Sequence, residues 1–371
     1  MRYRFINRVI PVLLFVTAAA AAGAQGTQRP GPHTCYGFFP TPPDFSRNAV
    51  LDHFQALGEH GDFILLQPNV PWKDFLGGAD TESQAKQDLR IQVELGKRNG
   101  LDAIFVIDPL NGLDRREFLG LPEGWKANFG DPRIRSAFTN FTLWVLEEFQ
   151  PAYFGLASEI NTYMDAYPED VHNFLSLYSE VYDCIKREQD GTKVFVTFQW
   201  DDLNNMIPGV SEGRERFHTN WDQVDAFEPK LDVWAISSYP YFVFNGGTQI
   251  PENYYTPLAK RARKMQTAHA IAFAEGGFSS RSIGPLKSSP KDQAAFLKAV
   301  QEQLGEDLVF WVNLLLDDID MDVYSPLLRE HGRPEKEMET LSWFSFVGLR
   351  DSAGTPKPAL RLWDKYRNSE Q

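Results

Sequence analysis

"YFGLASEINTYMDAYPEDVHNFLSLYSEVYDCIKREQDGTKVFVTFQW" (residues 153–200) places one long amphipathic run between two short apolar ones. The flanks, 153–158 and 193–200, are rich in aromatic, β-branched and small residues and read as strands. Residues 167–191 between them read as a helix, with Pro168 near its start and Gly191 past its end. A strand, a helix and a second strand in this order imply parallel strands.

The same texture repeats in both directions. Upstream, "YGFFP" (36–40), "FILLQP" (63–68) and "LDAIFVID" (101–108) read as strands, and downstream so do "LDVWAISSYP" (231–240), "AIAFAE" (270–275) and "LVFWVNLLL" (308–316). Helix starts lie between them: Ser46 as an N-cap, a Thr81-to-Gln84 capping box, Asp131 followed by Pro132, and Ser289. Residues 253–267 read as a weaker helix, and 201–230 have no regular pattern. Eight strands, mostly separated by helices, predict an α/β chain closed into a single (β/α)8, or TIM, barrel. A doubly wound sheet would carry a glycine-rich phosphate loop after its first strand, and "GFFPTPPDF" (37–45) is its opposite. No internal repeat or low-complexity linker divides the chain, so residues 25–371 are expected to be one domain.

The first 24 residues read differently. Arg2, Arg4 and Arg8 precede a short apolar run, and Ala22-Gly23-Ala24 offers small residues for cleavage. This is the layout of a secretory signal peptide, and it predicts an exported, periplasmic or extracellular protein. The apolar run is shorter than the roughly 20 residues of a membrane span, so no insertion of the mature chain is expected. Loss of three arginines and no acids would take the formal charge from −13 to −16. Such a chain is repelled by nucleic acid and anionic lipid, whereas neutral sugars stay open as partners. Cys35 and Cys184 could form at most one disulfide and cannot build a sulfur-rich metal site.

In a parallel barrel the site lies at the C-terminal ends of the strands. Those ends carry Gln67, Asn69, Asp108, Glu159, Asn161, Gln199, Trp200, Ser238, Tyr239, Tyr241, Glu275, Trp311, Asn313 and Asp317. Glu159 and Glu275, on strands four and seven, fall on roughly opposite sides of the barrel and can face each other. Two carboxylates flanking a bond are what retaining glycoside hydrolysis needs, one as acid then base, the other as nucleophile. On this reading Glu275 should have a low pKa and Glu159 a raised one.

The layout resembles glycoside hydrolase clan A, the retaining TIM-barrel glycosidases. "ASEIN" (157–161), "ISSYPYF" (236–242) and "AFAEGGF" (272–278) are similar to the strand-four, strand-six and strand-seven motifs of the family 53 arabinogalactan endo-β-1,4-galactanases. "VGLRDSAGTPKPALRLW" (347–363) resembles the close of many clan A chains. The resemblance implies Glu159 as acid/base and Glu275 as nucleophile. Two departures stand out. Ser158 occupies the place of the clan's usual asparagine, for which Asn161, Gln199 and Asn69 are the candidate replacements, and "LLQPNVPW" (65–72) lacks the arginine common on strand two.

Tyr239 is expected to orient Glu275 by a hydrogen bond, and Trp72, Trp200 and Trp311, with Tyr241, to line the sugar site. Long loops after strands two and six suggest an open cleft and endo action on a polysaccharide or oligosaccharide. No cofactor or metal is expected, because the seven histidines form no ligand motif and the acidic run 317–322 lacks the glycine and final glutamate of a calcium loop. That run reads instead as a solvated loop. The chain is expected to act as a monomer. The competing reading is a barrel that binds carbohydrate without cleaving it, motivated by Ser158.

Overall fold

A computed structural model describes residues 33–77, 82–208, 210–244, 246–264, 270–330 and 332–369. The expected leader, residues 1–24, and Thr81 of the expected capping box lie outside them. The barrel strands are β1 (Cys35–Phe38), β2 (Phe63–Leu66), β3 (Asp102–Val106), β4 (Tyr153–Gly155), β5 in two segments (Lys193–Phe195 and Thr197–Gln199), β6 (Val233–Ser238), β7 (Ala270–Gly276) and β8 (Leu308–Asn313). Every pairing between neighbours is parallel, and β8 returns to β1. Closure is made at β5: its first segment bonds to β4 and its second to β6, with Val196 between them.

The surrounding helices are α1 (Arg47–His60), α2 (Gln84–Arg98), α3 (Pro132–Phe149), α4 (Ile160–Ala166), α5 (Val171–Glu188), α6 (Trp200–Leu203), α7 (Trp221–Asp225), α8 (Thr256–Lys264), α9 (Pro290–Leu304), α10 (Met321–Glu330), α11 (Glu335–Ser342) and α12 (Pro358–Ser369). Ser46, Asp131 and Ser289 cap as expected, each side chain accepting from a first-turn N–H. In α2 the cap is Ser83, whose hydroxyl accepts from the Lys86 N–H. Among the described residues of the irregular 201–230 stretch, the helices are the end of α6 and the short α7.

Rings from several strands fill the barrel's interior. Phe310 of β8 meets Phe63, Tyr153 and Phe195, with centroids 5.8, 5.1 and 5.9 Å away. The next residue along β8, Trp311, points to the other face, as strand alternation requires. It packs on Trp363 and Tyr366 of α12 and is fully buried, so it cannot line a sugar site as expected. The first part of the acidic run is not solvated: Asp317 pairs with His53 and Arg350, and Asp318 with Lys357, tying the chain after β8 to its surroundings, whereas Asp322 is exposed. Among the described residues no cluster of side chains suits a metal ion, and Cys35 and Cys184 are not bridged to each other.

Candidate active site

The chain leaves β4 and turns into α4 at Glu159, whose backbone is left-handed (φ 50°, ψ 43°). That conformation is uncommon outside glycine and stores strain. Glu159 stands at the N-cap position, yet its carboxylate caps nothing. Instead Oε2 accepts from Arg115 Nε at 2.9 Å and Oε1 from Ser237 Oγ at 2.5 Å. The Glu159 N–H donates to Thr197 Oγ1 at 2.8 Å, which ties the turn to β5.

Glu275 reaches the interior through an irregularity in β7. Phe273 packs outward on Phe296 of α9. Strict alternation would send Glu275 the same way. The register against β6 shifts between Phe273 and Glu275, leaving Ala274 unpaired and Glu275 opposite Ser237. Such a bulge re-aims the side chain that follows it. The hydroxyl of Ser237 bonds Glu159 while its backbone pairs with Glu275, so both acids flank one residue of β6, near enough for the charge of Glu159 to act on Glu275. Tyr239 Oη donates to Glu275 Oε1 at 2.7 Å.

The two acids would repel each other without a cation. Arg115 supplies it, from a hairpin (Leu110–Asn111 with Asp114–Phe118) inserted after β3. Its guanidinium bonds Asp108, Glu159 and, at 3.2 Å, Ser158 Oγ. Gln67 and the Leu110 N–H complete the shell of Asp108 at 2.9 and 3.1 Å. The site therefore has a guanidinium, brought by the hairpin and not by strand two, and it occupies the Ser158 hydroxyl. Nothing in the strand-end pattern marks Arg115. The Asn111-Gly112 pair is a turn signal that could have found the hairpin: Asn111 Oδ1 accepts from the Leu113 N–H at 3.1 Å and starts the turn. Replacing Arg115 by methionine leaves buried carboxylates without their partner, which is expected to cost about 3–5 kcal/mol of stability. Chemical denaturation of the two proteins at neutral pH measures it.

Burial pushes Glu275 up to about 7, the charge of Glu159 adds to this, and Arg115 and Tyr239 only partly oppose it. The expected low pKa for this residue is therefore corrected: a carboxylate buried beside another ionises late. Burial and the neighbouring Glu275 hold the Tyr239 phenol protonated far above neutrality, so it can donate. Tyr239→Phe removes a bond that favours the charged carboxylate. It is expected to lower kcat about ten- to hundredfold and to move the acid limb of the pH profile upward. Steady-state kinetics across pH checks both, and an unmoved limb with full turnover would show that the bond has no role.

The other expected site residues do not gather here. Trp72 is 1% exposed and its indole donates to the Leu119 carbonyl; Trp200 is fully buried and donates to the Tyr254 carbonyl. Neither ring can stack on a sugar, because other side chains cover it. Tyr241 is buried with its hydroxyl on the Trp343 carbonyl, and its ring meets Tyr239 edge-on, so it backs the site rather than lining it. The amides are also committed. Asn69 bonds the carbonyls of Asp108 and Leu110; Asn161 bonds the Gln199 backbone and Asp202; Gln199 caps α6 and reaches Asp201. Half-buried aromatics do stand near Tyr239: Phe344 lies 4.9 Å from its ring, and Phe242 and Trp343 adjoin that pair.

Asp201 lies behind this arrangement, fully buried, with no ion-pair partner among the described residues. It accepts from the Tyr239 N–H at 2.9 Å, Ser238 Oγ at 3.1 Å, Gln199 Nε2 at 2.9 Å and Tyr254 Oη at 2.5 Å.

No family model matches the sequence, and no curated protein is similar to it. Solved structures do match in shape. One is an exo-β-1,4-mannosidase from Opitutaceae bacterium strain TAV5, at TM-score 0.61 and 13% identity over 91% of this chain. The match spans 60% of that mannosidase's length. A family 5 subfamily 18 glycoside hydrolase variant from Streptomyces cattleya, in complex with Manβ1-4GlcNAc, matches at TM-score 0.64 and 14% identity over 90% of this chain and 80% of that one. Its counterpart from Bifidobacterium longum subsp. longum matches at TM-score 0.63 and 15% identity over 91% and 78%. At these identities the likeness is one of fold: the chain has the (β/α)8 barrel that family 5 glycosidases share.

Proposed function

We propose that this chain is an exported β-glycosidase of the retaining type, acting on a polysaccharide or oligosaccharide. The observation that carries the reading is the placement of Glu159 and Glu275 on either side of Ser237, with Tyr239 on the Glu275 carboxylate and Arg115 on that of Glu159. Glu275 attacks the anomeric carbon while Glu159 gives its proton to the departing glycosidic oxygen. Glu159 then takes a proton from water, which cleaves the covalent glycosyl-enzyme and returns Glu275 as a carboxylate. A barrel that only binds sugar has no use for buried carboxylates around one guanidinium, an arrangement that costs stability. The family 5 likeness makes β-mannosides the first substrates to try, and the strand motifs add β-galactans.

Screening a panel of β-mannans, β-galactans and β-glucans, with product configuration followed by proton NMR, tests the proposal. Release of the β-anomer from a β-glycoside is expected. First release of the α-anomer would defeat the retaining mechanism, and no cleavage anywhere would defeat the hydrolytic reading. Endo action, supported by the long loops after β2 and β6, predicts a ladder of oligosaccharides early in the digest rather than monosaccharide alone.

The proton on Glu275 gives a pH prediction. Attack needs the Glu275 carboxylate, so kcat/KM should fall on the acid side as Glu275 takes up its proton, and burial places that limb above the ordinary carboxylate range. The same shift acts on stability. A carboxyl with a raised folded pKa contributes stability that is full below its unfolded value and is lost as pH rises through the folded one. Glu275→Gln removes the ionising group, so its stability advantage over the parent should grow between about pH 4.5 and 7, by roughly 3 kcal/mol. Denaturation midpoints at pH 4 and pH 8 measure the change, and an advantage independent of pH would contradict it.

A further inference from the structure

One aromatic ring outside the reacting centre is displayed rather than packed. Phe217, in the loop between β5 and β6, is 54% exposed, and its backbone is left-handed at φ 62°. A ring-bearing residue in that region is strained and persists only where its surroundings enforce it. Here they do. The Phe217 N–H donates to the Asn204 carbonyl at 3.0 Å. Asn205 Nδ2 donates to the carbonyls of Glu215 and His218, both at 3.1 Å, and Thr219 Oγ1 donates to Asn204 Oδ1 at 2.6 Å. Phe217 is therefore held out to solvent by a built loop.

Its neighbours form a surface. Phe244, from the loop after β6, lies near-parallel to it, with centroids 6.5 Å apart and planes 24° from each other. Tyr254 meets both rings edge-on, at 6.3 and 5.2 Å. Exposed Arg214, Glu215 and Arg216 border Phe217 along the chain. An apolar ring surface with charged hydrogen-bonding groups at its edge suits a pyranose, whose C–H face is apolar and whose hydroxyls point outward.

The position selects which sugar. Both loops leave the C-terminal end of the barrel, where Glu159 and Glu275 stand. The loop after β5 is strapped to α4, the helix that begins at Glu159, through the Arg214–Asp165 ion pair and a 2.6 Å bond from Gln223 Nε2 to Asp165 Oδ1. Attack from Glu275 expels the leaving group towards Glu159, which protonates it, and β5 is the bonded neighbour of the strand that carries Glu159. We propose that Phe217 and Phe244 are a binding platform for a sugar ring on the leaving-group side of a β-linked glycan. The inference rests on the glycosidase reading for its substrate. Tyr254 connects the platform to the centre: its hydroxyl bonds Asp201, which also holds the Tyr239 N–H.

Phe217→Asn tests it, because asparagine tolerates the left-handed backbone but has no ring. Two substrates with the same non-leaving sugar are compared, a 4-nitrophenyl glycoside and a β-1,4-linked tetrasaccharide. The ratio of kcat/KM, tetrasaccharide over aryl glycoside, should fall about tenfold in the variant, the effect of losing one aromatic contact of ordinary strength. Phe217→Tyr, which keeps the flat ring, should restore most of the ratio. Native gels containing soluble β-mannan or β-galactan give a second readout, in which the parent is retarded and Phe217→Asn less so. If the parent cleaves glycans while ratio and mobility are the same in both proteins, the platform is refuted and the glycosidase stands. If the parent is retarded through Phe217 but cleaves nothing, the platform stands and the glycosidase reading falls.

Discussion

Glu275→Ala is expected to lose turnover on every glycoside, whatever its leaving group, by roughly a millionfold, the scale on which loss of a covalent nucleophile is felt. The variant keeps Glu159, Arg115 and their bonds, so protonation of the leaving oxygen is intact and only the attacking group is missing. The vacated volume opens beside Tyr239, which donated to the lost carboxylate. Azide entering there should form a C–N bond to the anomeric carbon as the glycosidic C–O bond breaks, from the face that Glu275 used. A β-glycoside then yields the α-glycosyl azide, identifiable by NMR. A β-azide from this variant would mean that Glu275 is not the nucleophile.

Glu159→Ala should behave differently, because it removes the proton donor and keeps the attacker. On natural glycans, whose leaving groups need a proton, activity should drop by about 10²–10⁴. Aryl glycosides with acidic leaving groups need none, and they should still form the glycosyl-enzyme rapidly, with a burst of phenolate. The second step is then slow because no base activates water. Azide needs no base, so it should restore turnover and give the β-azide, net retention after two inversions. Identical behaviour of both variants towards azide and leaving group would show that the roles have been assigned to the wrong residues.

The barrel was legible because its signals are local and repeated. Each strand is a short apolar run, and Ser46, Asp131 and Ser289 mark helix starts by chemistry that acts within one turn. Glu159, Tyr239 and Glu275 were legible for a related reason: acid and phenol at the ends of apolar strands are costly to place there without a task. What stayed hidden depends on contacts distant in sequence. Trp311 sits at a strand end like Glu275, and only Trp363, on the last helix, reveals that its face is outward. The bulge that turns Glu275 inward leaves no mark in "AFAEGG", since Ala274 suits a regular strand as well. The pKa of Glu275 was misjudged because it belongs to the assembly of Glu159, Arg115 and Tyr239, and none of these adjoins it in the chain.

The route by which Arg115 arrives bears on how such a site can change over evolutionary time. Its guanidinium is delivered by a surface insertion of nine residues, 110–118, and not by a strand of the barrel. Insertions are gained, lost and exchanged far more readily than framework strands. A residue-by-residue comparison of strand ends would score this chain as lacking the cation. The structure nevertheless holds a guanidinium against Asp108 and Glu159. The strand-two location is free to drift once the hairpin holds the charge, and excision of the hairpin in a descendant would take the charge away in a single genetic event.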